Sequence, residues 1–386
     1  MTSFSSCDHA LMARALRLAE HGLATTRPNP RVGCVIANGD RVVGEGWHRQ
    51  AGGPHAEVLA LRAAATDAHG ATAYVTLEPC GLHGRTPPCA DALIAAGIAR
   101  VVIASEDMAQ RGGGALDRLR AAGIVVETGL MRDAARELNR GFFSRIERGR
   151  PWIRLKLAMS LDGRTALADS RSKWITSEAA RADVQRWRAR SCAILTGSGT
   201  VLADDPRLTV RVSTQEPSFI ETVANPGVAE GPCIDRVPPL RVVLDSALRT
   251  PRGARVLDGS APTLFVHAAD ARPADERFAQ VERTVVERHA NGLDLGAMLG
   301  LLAARGINEV QVEAGPALCG ALFAAGLVDE LLLYVAPVLL GDSARPLLAL
   351  PALADMASRW RLRTIDERAI GDDRRMLLRP ANHESE

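Results

Sequence analysis

The stretch Pro54-His55-Ala56-Glu57, followed by Glu78-Pro79-Cys80 and then by Cys89, constrains this chain more than any other feature. One imidazole and two thiolates make a sound zinc set. Three protein ligands are the count expected of an open site, in which water takes the fourth tetrahedral position. The metal lowers that water's pKa towards about 7 in the best-known zinc enzymes, so a nucleophile is available at neutral pH. Glu57 lies two residues past His55, where it is a poor fourth ligand but can reach the water and shuttle its protons. His55, Cys80 and Cys89 are therefore the candidate ligands of one zinc per chain, and Glu57 the candidate catalytic acid/base. Two alternatives use the same stretch: His83 in place of one cysteine, or a closed structural site, which leaves the placement of Glu57 unexplained.

Cys80 and Cys89 stand nine positions apart. Gly81 and Gly84 permit the turn, and Pro87 and Pro88 set the start of a helix at Cys89, whose N-terminus favours thiolate. H-x-E followed by P-C-x-x-C marks the zinc-dependent nucleobase deaminases, with the glutamate as acid/base rather than ligand. Here the loop between the cysteines is longer.

A chain of 386 residues exceeds the usual size of a single core, so two domains are expected. There is no apolar run of about eighteen residues to span a membrane and no basic-then-apolar leader at the start, which predicts a cytoplasmic protein. The seven scattered cysteines do not resemble a disulfide framework. A net charge of +2 with 4% aromatic residues offers neither the basic surface nor the stacking platforms of a nucleic-acid binder.

In order, Asp8 to Gly22 carries apolar residues at helical spacing, with Asp8 as cap and Gly22 as stop. Asn38-Gly39 between two β-rich runs predicts a hairpin, which brings Asn29 and His48 to the end flanking His55, where either could hydrogen-bond a pyrimidine edge. A helix from His55 to about Ala68, a strand from Ala71 to Leu77, a helix from Cys89 to Ala96, and strands at Arg100–Ala104 and Ile124–Glu127 follow. The alternation predicts an α/β layered domain with ligands at strand C-terminal ends.

The boundary is placed near Gly149, giving domains 1–148 and 149–386. Pro151–Met159 alternates apolar and basic residues like a strand. A helix capped by Ser177 or Thr176 runs to Arg190, and a buried strand, Cys192–Thr196, leads to the small-residue loop Gly197–Thr200, which suits a phosphate. Arg241–Asp245 and Glu309–Glu313 are further strands, the second ending in another glycine turn at Ala314–Ala317. Ser213–Pro239 reads as an irregular insertion, and Val328–Leu340 as a long apolar strand for the core or a subunit interface.

Arg27-Pro-Asn-Pro-Arg-Val-Gly-Cys34, Gly53-Pro-His-Ala-Glu57, Glu78-Pro-Cys80 and Gly84-Arg-Thr-Pro-Pro-Cys89 resemble the deaminase half of the bifunctional riboflavin-biosynthesis deaminase/reductase family. Leu155 to Thr165, Trp174-Ile-Thr, Leu202-Ala-Asp-Asp-Pro206 and Val312-Glu-Ala-Gly-Pro316 resemble its reductase half, so the likeness covers nearly the whole chain in order. One departure is Leu82, where the family carries histidine; it bears on substrate contact and not on the metal set. The resemblance implies a cytidine-deaminase-like three-layer α/β/α domain followed by a dihydrofolate-reductase-like α/β domain. It also implies Zn2+ and NADPH as cofactors and a small phosphoribosyl pyrimidine as substrate, deaminated at C2 and then reduced at C1′ of the ribose.

Carried over residue by residue, Ala158, Trp174, Thr200, Asp204, Ser246 and the turn Gly315, Pro316, Ala317, Leu318, Cys319, Gly320, Ala321 would hold NADPH. Ser172, Arg188, Leu208, Arg211 and Glu313 would hold the phosphosugar, with Lys156 and Asp162 beside them. No nucleic-acid or membrane partner is expected, and the chain is expected to form a homo-oligomer, a dimer or tetramer. A nucleic-acid deaminase and a non-catalytic zinc module share the zinc pattern; the first leaves the second domain idle, and the second is separated by whether removing Glu57 changes anything.

Overall fold

The computed structural model describes residues 4–82, 88–110, 114–169, 171, 174–211, 237–273, 275–289 and 292–381. The described chain divides into two compact units, one of the residues up to Arg148 together with Val237, and one of the remaining residues from Gly149 onward.

The first unit runs α1 (Ser6–Glu20), β1 (Gly33–Asn38), β2 (Arg41–Trp47), α2 (Ala56–Ala64), β3 (Thr72–Leu77), α3 (Cys89–Ala95), β4 (Arg100–Ser105), α4 (Ala115–Ala121), β5 (Val125–Thr128), α5 (Arg132–Leu138) and α6 (Arg140–Arg148). Its sheet has the order β2-β1-β3-β4-β5, with β1 antiparallel to both neighbours and β3, β4 and β5 parallel. Side chains of β1 alternate between the faces. Cys34 and Ile36 pack with Ala56, Ala60 and Leu93 of α2 and α3, while Val35 and Ala37 pack with Leu11, Met12 and Ala135 of α1 and α5. Three layers, α/β/α, result.

The hairpin turn is Gly39-Asp40 rather than Asn38-Gly39: Asn38 still pairs with Arg41, and Gly39 takes the positive φ of 63° that the tight turn requires. The first helix also starts earlier than its sequence suggested. Ser5 caps it, accepting from Asp8 N at 3.1 Å, while Asp8 accepts from Ser5 N at 2.8 Å, a reciprocal capping box. Asp8 is thus the third helical residue and not the cap.

On β2, Gly44 and Gly46 let α2 lie against bare backbone. A Cβ built on Gly46 would stand 2.7 Å from the Ala56 carbonyl oxygen and 2.7 Å from Ala60 N.

The second unit comprises β6 (Trp152–Ser160), β7 (Arg164–Ala166), α7 (Glu178–Arg190), β8 (Ala193–Gly197), α8 (Ser198–Asp204), β9 (Leu240–Leu244), β10 (Thr263–His267), β11 (Glu282–Val285), β12 (Arg288–His289), β13 (Gly292–Leu293), α9 (Leu295–Ala304), β14 (Glu309–Val312), α10 (Pro316–Ala324), β15 (Glu330–Ala336), β16 (Arg345–Pro346), β17 (Leu362–Ile370) and β18 (Asp373–Pro380). Nine strands form one sheet in the order β11-β10-β9-β8-β14-β6-β15-β18-β17, parallel from β11 to β15 and closed by antiparallel β18 and β17. Helices α9 and α10 cover one face and α7 the other.

Two expectations shift here. The Gly197–Thr200 segment is the end of β8 and the first turn of a short helix rather than a loop, and α10 begins at Pro316, inside the expected glycine turn. The apolar run 328–340 yields a seven-residue strand buried in mid-sheet between β6 and β18; Val338 and Leu339 lie past its end and are exposed. The insertion expected at Ser213–Pro239 lies outside the described residues except for its last three positions.

Candidate active sites

The zinc set comes together. His55 caps the start of α2, Cys80 follows β3, and Cys89 opens α3 after Pro88. Their donor atoms lie within 4.8 Å of one another. His55 Nδ1 is 3.2 Å from Cys89 Sγ and 3.5 Å from Cys80 Sγ. A tetrahedron with bonds of about 2.0–2.3 Å has edges of about 3.5 Å, so one imidazole and two thiols at this spacing fit zinc and present Nδ1 as the imidazole ligand.

The thiols are unequal. Cys80 accepts from the Cys89 thiol and from its backbone N–H at 3.2 Å, and with His55 beside it falls to about 4; sharing with Cys80 and burial push Cys89 up. His55 is raised, first by its bond to Cys80. Gly81, next to Cys80, is fixed by Gln110 Oε1, which accepts from its N–H at 3.0 Å, and by Arg118, which donates to its carbonyl at 2.6 Å. No sequence motif signals either residue. His83 and most of the loop between the cysteines lie outside the described residues, while Leu82 is 58% exposed.

Glu57 sits in the first turn of α2 at 3% exposure. Burial pushes its carboxyl up to about 7, against the attraction of His55. A carboxylic group that gains and loses a proton near neutrality suits general acid/base work. His48 flanks His55, as the hairpin implied, and Asn29 pairs with His48. Asn29 Nδ2 is 3.0 Å from His48 Nε2, His48 Nδ1 is 3.1 Å from the Pro54 carbonyl oxygen, and the His48 ring meets that of His55 edge-on at 5.4 Å.

In the second unit the candidate cofactor residues gather at the C-terminal edge of the parallel strands. Ala158 is near the end of β6, Thr200 and Asp204 are in α8 after β8, Ser246 follows β9, and Gly315 follows β14. Gly315 N donates to Thr200 Oγ1 at 3.2 Å, which ties the starts of α8 and α10 together. Neither helix has a side-chain cap, whereas α1, α7 and α9 do. Two adjacent N-termini with uncapped N–H donors fit the pyrophosphate of a dinucleotide.

Within Gly315–Ala321 the positions divide. Ala317 and Ala321 are exposed, and Pro316 and Leu318 are half-buried. The Cys319 side chain lies in the core, and Gly320 lies against the Ala349 backbone. Trp174 is 68% exposed and stacks on Arg181 at 4.4 Å.

The substrate candidates also converge. Arg188 Nε and Nη2 bind Glu313 Oε1 and Oε2, each at 2.7 Å, and Nη1 donates to the Thr209 carbonyl at 2.8 Å. Gln311, two residues earlier on β14 and so on the same face, donates to Glu313 Oε1 at 2.8 Å. Burial alone would raise Glu313; Arg188 outweighs it and holds the carboxyl down at about 2. Lys156 is half-buried beside this pair, its ammonium lowered by desolvation, and lies 5.7 Å from the Tyr334 ring centroid.

Arg211 is held by its backbone N–H donating to Gln185 at 2.9 Å, and Arg188, Arg207 and Arg181 depress its guanidinium further after desolvation. Several arginines at one place suit a phosphate. Leu208 is buried at a positive φ of 52°. Ser172 lies outside the described residues. Asp162 accepts from Gly341 N at 2.7 Å and from Leu340 N at 3.1 Å, which anchors that loop.

Comparison with known proteins agrees with both halves. Residues 5–105 match the cytidine and deoxycytidylate deaminase zinc-binding region, and residues 151–373 match the RibD C-terminal domain. The riboflavin biosynthesis protein RibD of Escherichia coli (strain K12) is 49% identical over 95% of this chain and 97% of its own. That of Haemophilus influenzae is 44% identical over 98% and 99%. Acinetobacter baumannii RibD, form 1, superposes with a TM-score of 0.86 at 42% identity, covering 97% of this chain and 99% of the other. A Thermotoga maritima structure described as a diaminohydroxyphosphoribosylaminopyrimidine deaminase/5-amino-6-(5-phosphoribosylamino)uracil reductase gives 0.82 at 29% identity over the same shares. With a zinc-binding deaminase half and a reductase half joined in this order, the chain belongs to the RibD family of bifunctional riboflavin-biosynthesis enzymes.

Proposed function

We propose that the unit up to residue 148 deaminates and the unit from 149 onward reduces, each with the residues brought together above. The enzyme carries out zinc-dependent hydrolytic deamination of 2,5-diamino-6-(5-phosphoribosylamino)pyrimidin-4(3H)-one and then NADPH-dependent reduction of the ribosyl to the ribityl side chain. The observation that carries the reading of the first half is Glu57, buried beside three donors at zinc spacing.

His55, Cys80 and Cys89 hold the metal, which when bound supplies the Lewis acidity that makes water a nucleophile at neutral pH. Glu57 takes a proton from the attacking water and delivers it to the ring nitrogen, then takes the remaining proton of the added hydroxyl and delivers it to the amino group, which departs as ammonia. Asn29 and His48, locked to each other, line the side where a pyrimidine edge would enter, and burial of Glu57 keeps bulk water from competing for its proton.

In the second half NADPH supplies a hydride to C1′ of the ribose. The starts of α8 and α10 bind its pyrophosphate, with Ala158, Trp174, Asp204 and Ser246 along its length. Arg211 holds the substrate phosphate, Arg188 and Glu313 brace each other against the sugar, and Lys156 reaches the same place from β6.

The cytoplasm is the compartment this reading implies. All six described cysteines are free thiols, in keeping with a reducing environment, and no helix among the described residues is long and apolar enough to cross a membrane. A homo-oligomer, dimer or tetramer, belongs to the same reading; the exposed Met356, Leu362 and Ile365 near the sheet edge support it. The deciding assay incubates the purified protein with the diaminopyrimidinone ribosyl phosphate, with and without NADPH, and identifies products by mass. Loss of one amino group without NADPH and a further gain of two hydrogens with it are expected; an unchanged substrate would refute the reading.

A further inference from the structure

One arginine at the C-terminal edge of the nine-stranded sheet has no part in the steps above. Arg288 follows β11, and its side chain reaches back across the end of β10. Its Nη2 donates to the Ser246 carbonyl oxygen at 3.0 Å and lies 3.6 Å from Asp270, which follows β10. Both contacts use Nη2, so Nε and Nη1 have no partner among the described residues, and the side chain is 44% exposed.

We propose that Arg288 binds the 2′-phosphate of NADPH and makes the reductase choose NADPH over NADH. The inference rests on the assignment of the cofactor to this edge of the sheet. With the pyrophosphate at the adjoining starts of α8 and α10, above β8 and β14, and Ala158 on β6, the cofactor extends along the sheet from β6 outward. The next strand, one step of about 4.8 Å further, is β9 with Ser246 at its end, and this is where the adenosine ribose falls. NADPH differs from NADH only by the dianion on that ribose, and discrimination needs a cation there. Nε and Nη1 of this guanidinium remain as charged donors for phosphate oxygens.

The acidic neighbours leave this charge uncancelled. Asp294 is engaged by His289 at 3.2 Å, and Asp245 is buried with Thr250, whose N–H and hydroxyl it accepts at 2.7 and 2.8 Å. Among the described residues Asp270 alone competes, at ion-pair distance rather than in a close bond.

The test measures equilibrium binding of four probes to the full-length protein by calorimetry: NADPH, NADH, adenosine 2′,5′-bisphosphate and adenosine 5′-monophosphate. Arg288→Ala should weaken NADPH and the bisphosphate by about tenfold or more, and leave NADH and the monophosphate unchanged. Arg288→Lys should keep part of the selectivity. Asp270→Asn, which removes the competing carboxylate, should tighten NADPH and not NADH. Equal losses for NADPH and NADH in Arg288→Ala, or unchanged NADPH binding, would overturn the proposal. Wild-type protein that binds neither nicotinamide nucleotide would overturn the cofactor reading itself. A wild type that prefers NADPH, with its preference intact in Arg288→Ala, would overturn only the role of Arg288.

Discussion

Arg188 and Glu313 meet as a two-pronged pair, Nε to Oε1 and Nη2 to Oε2, each at 2.7 Å, at the C-terminal edge of the reductase sheet. Glu313 is held down at about 2 by this partner, so the pair contributes stability that is fully present above the ordinary glutamate range near 4.5 and lost as pH falls through about 2. A shift of this size corresponds to something on the order of 2–3 kcal/mol. Glu313→Gln should therefore unfold at lower urea than wild type at pH 7, with the gap narrowing at pH 3. Four of the five tryptophans lie beyond residue 149, so tryptophan fluorescence reports chiefly on this half. An unchanged gap between the two pH values would show that the pair does not control the titration.

Cys80→Ser should lose zinc, because the remaining imidazole and thiolate cannot hold a catalytic zinc alone. Elemental analysis of the purified variant measures this directly, and full occupancy would refute the ligand set.

Glu57→Gln should retain zinc and fold while deamination falls by about 10² to 10⁴, since the amide cannot carry a proton. Reduction of the already deaminated substrate should continue at the wild-type rate. Loss of both activities would contradict separate sites.

Arg211→Ala should raise the substrate KM far more than the NADPH KM. It removes a cation from the arginine cluster and leaves the joined starts of α8 and α10 intact. Steady-state kinetics with each substrate varied in turn checks it, and equal rises would place Arg211 elsewhere.

What could be read from the chain depended on the reach of each signal. The cluster of His55, Cys80 and Cys89 was legible because metal chemistry restricts residue type and spacing, whatever surrounds them. The hairpin was legible, yet its turn was off by one residue: glycine at position 39 supplies the positive φ, and the neighbour completing the turn is settled by strand register. The Ser5–Asp8 capping box is a pattern of the sequence, but the apolar periodicity starts later and points to Asp8 as the cap. Arg154 misleads most. Its strand alternates apolar and basic residues as though one face met solvent, but the arginine is wholly buried, held by Glu330 at 2.6 Å and Glu309 at 3.1 Å and stacked on Trp187 at 4.6 Å. Those partners lie on other elements, up to 176 positions away, and local pattern carries no trace of them. Strand β17 leaves no local signal for the opposite reason: it sits at the sheet edge, mostly exposed, without the alternation that burial imposes.

The glycines of β2 set a mechanical tolerance for the chemistry. Because α2 rests on the bare backbone of Gly46, nothing compressible separates the strand from the helix that carries His55 at its start and Glu57 in its first turn. A single added methyl at Gly46 would act as a shim under that helix, lifting the imidazole and the carboxylate while Cys80 and Cys89, seated on other elements, stay where they are. A displacement of about 1 Å in a reacting group can cost about a hundredfold in rate. A chain with every ligand and the catalytic acid in place could thus be silent for want of clearance beneath them, and a search for inactivating changes confined to the metal ligands would miss this position.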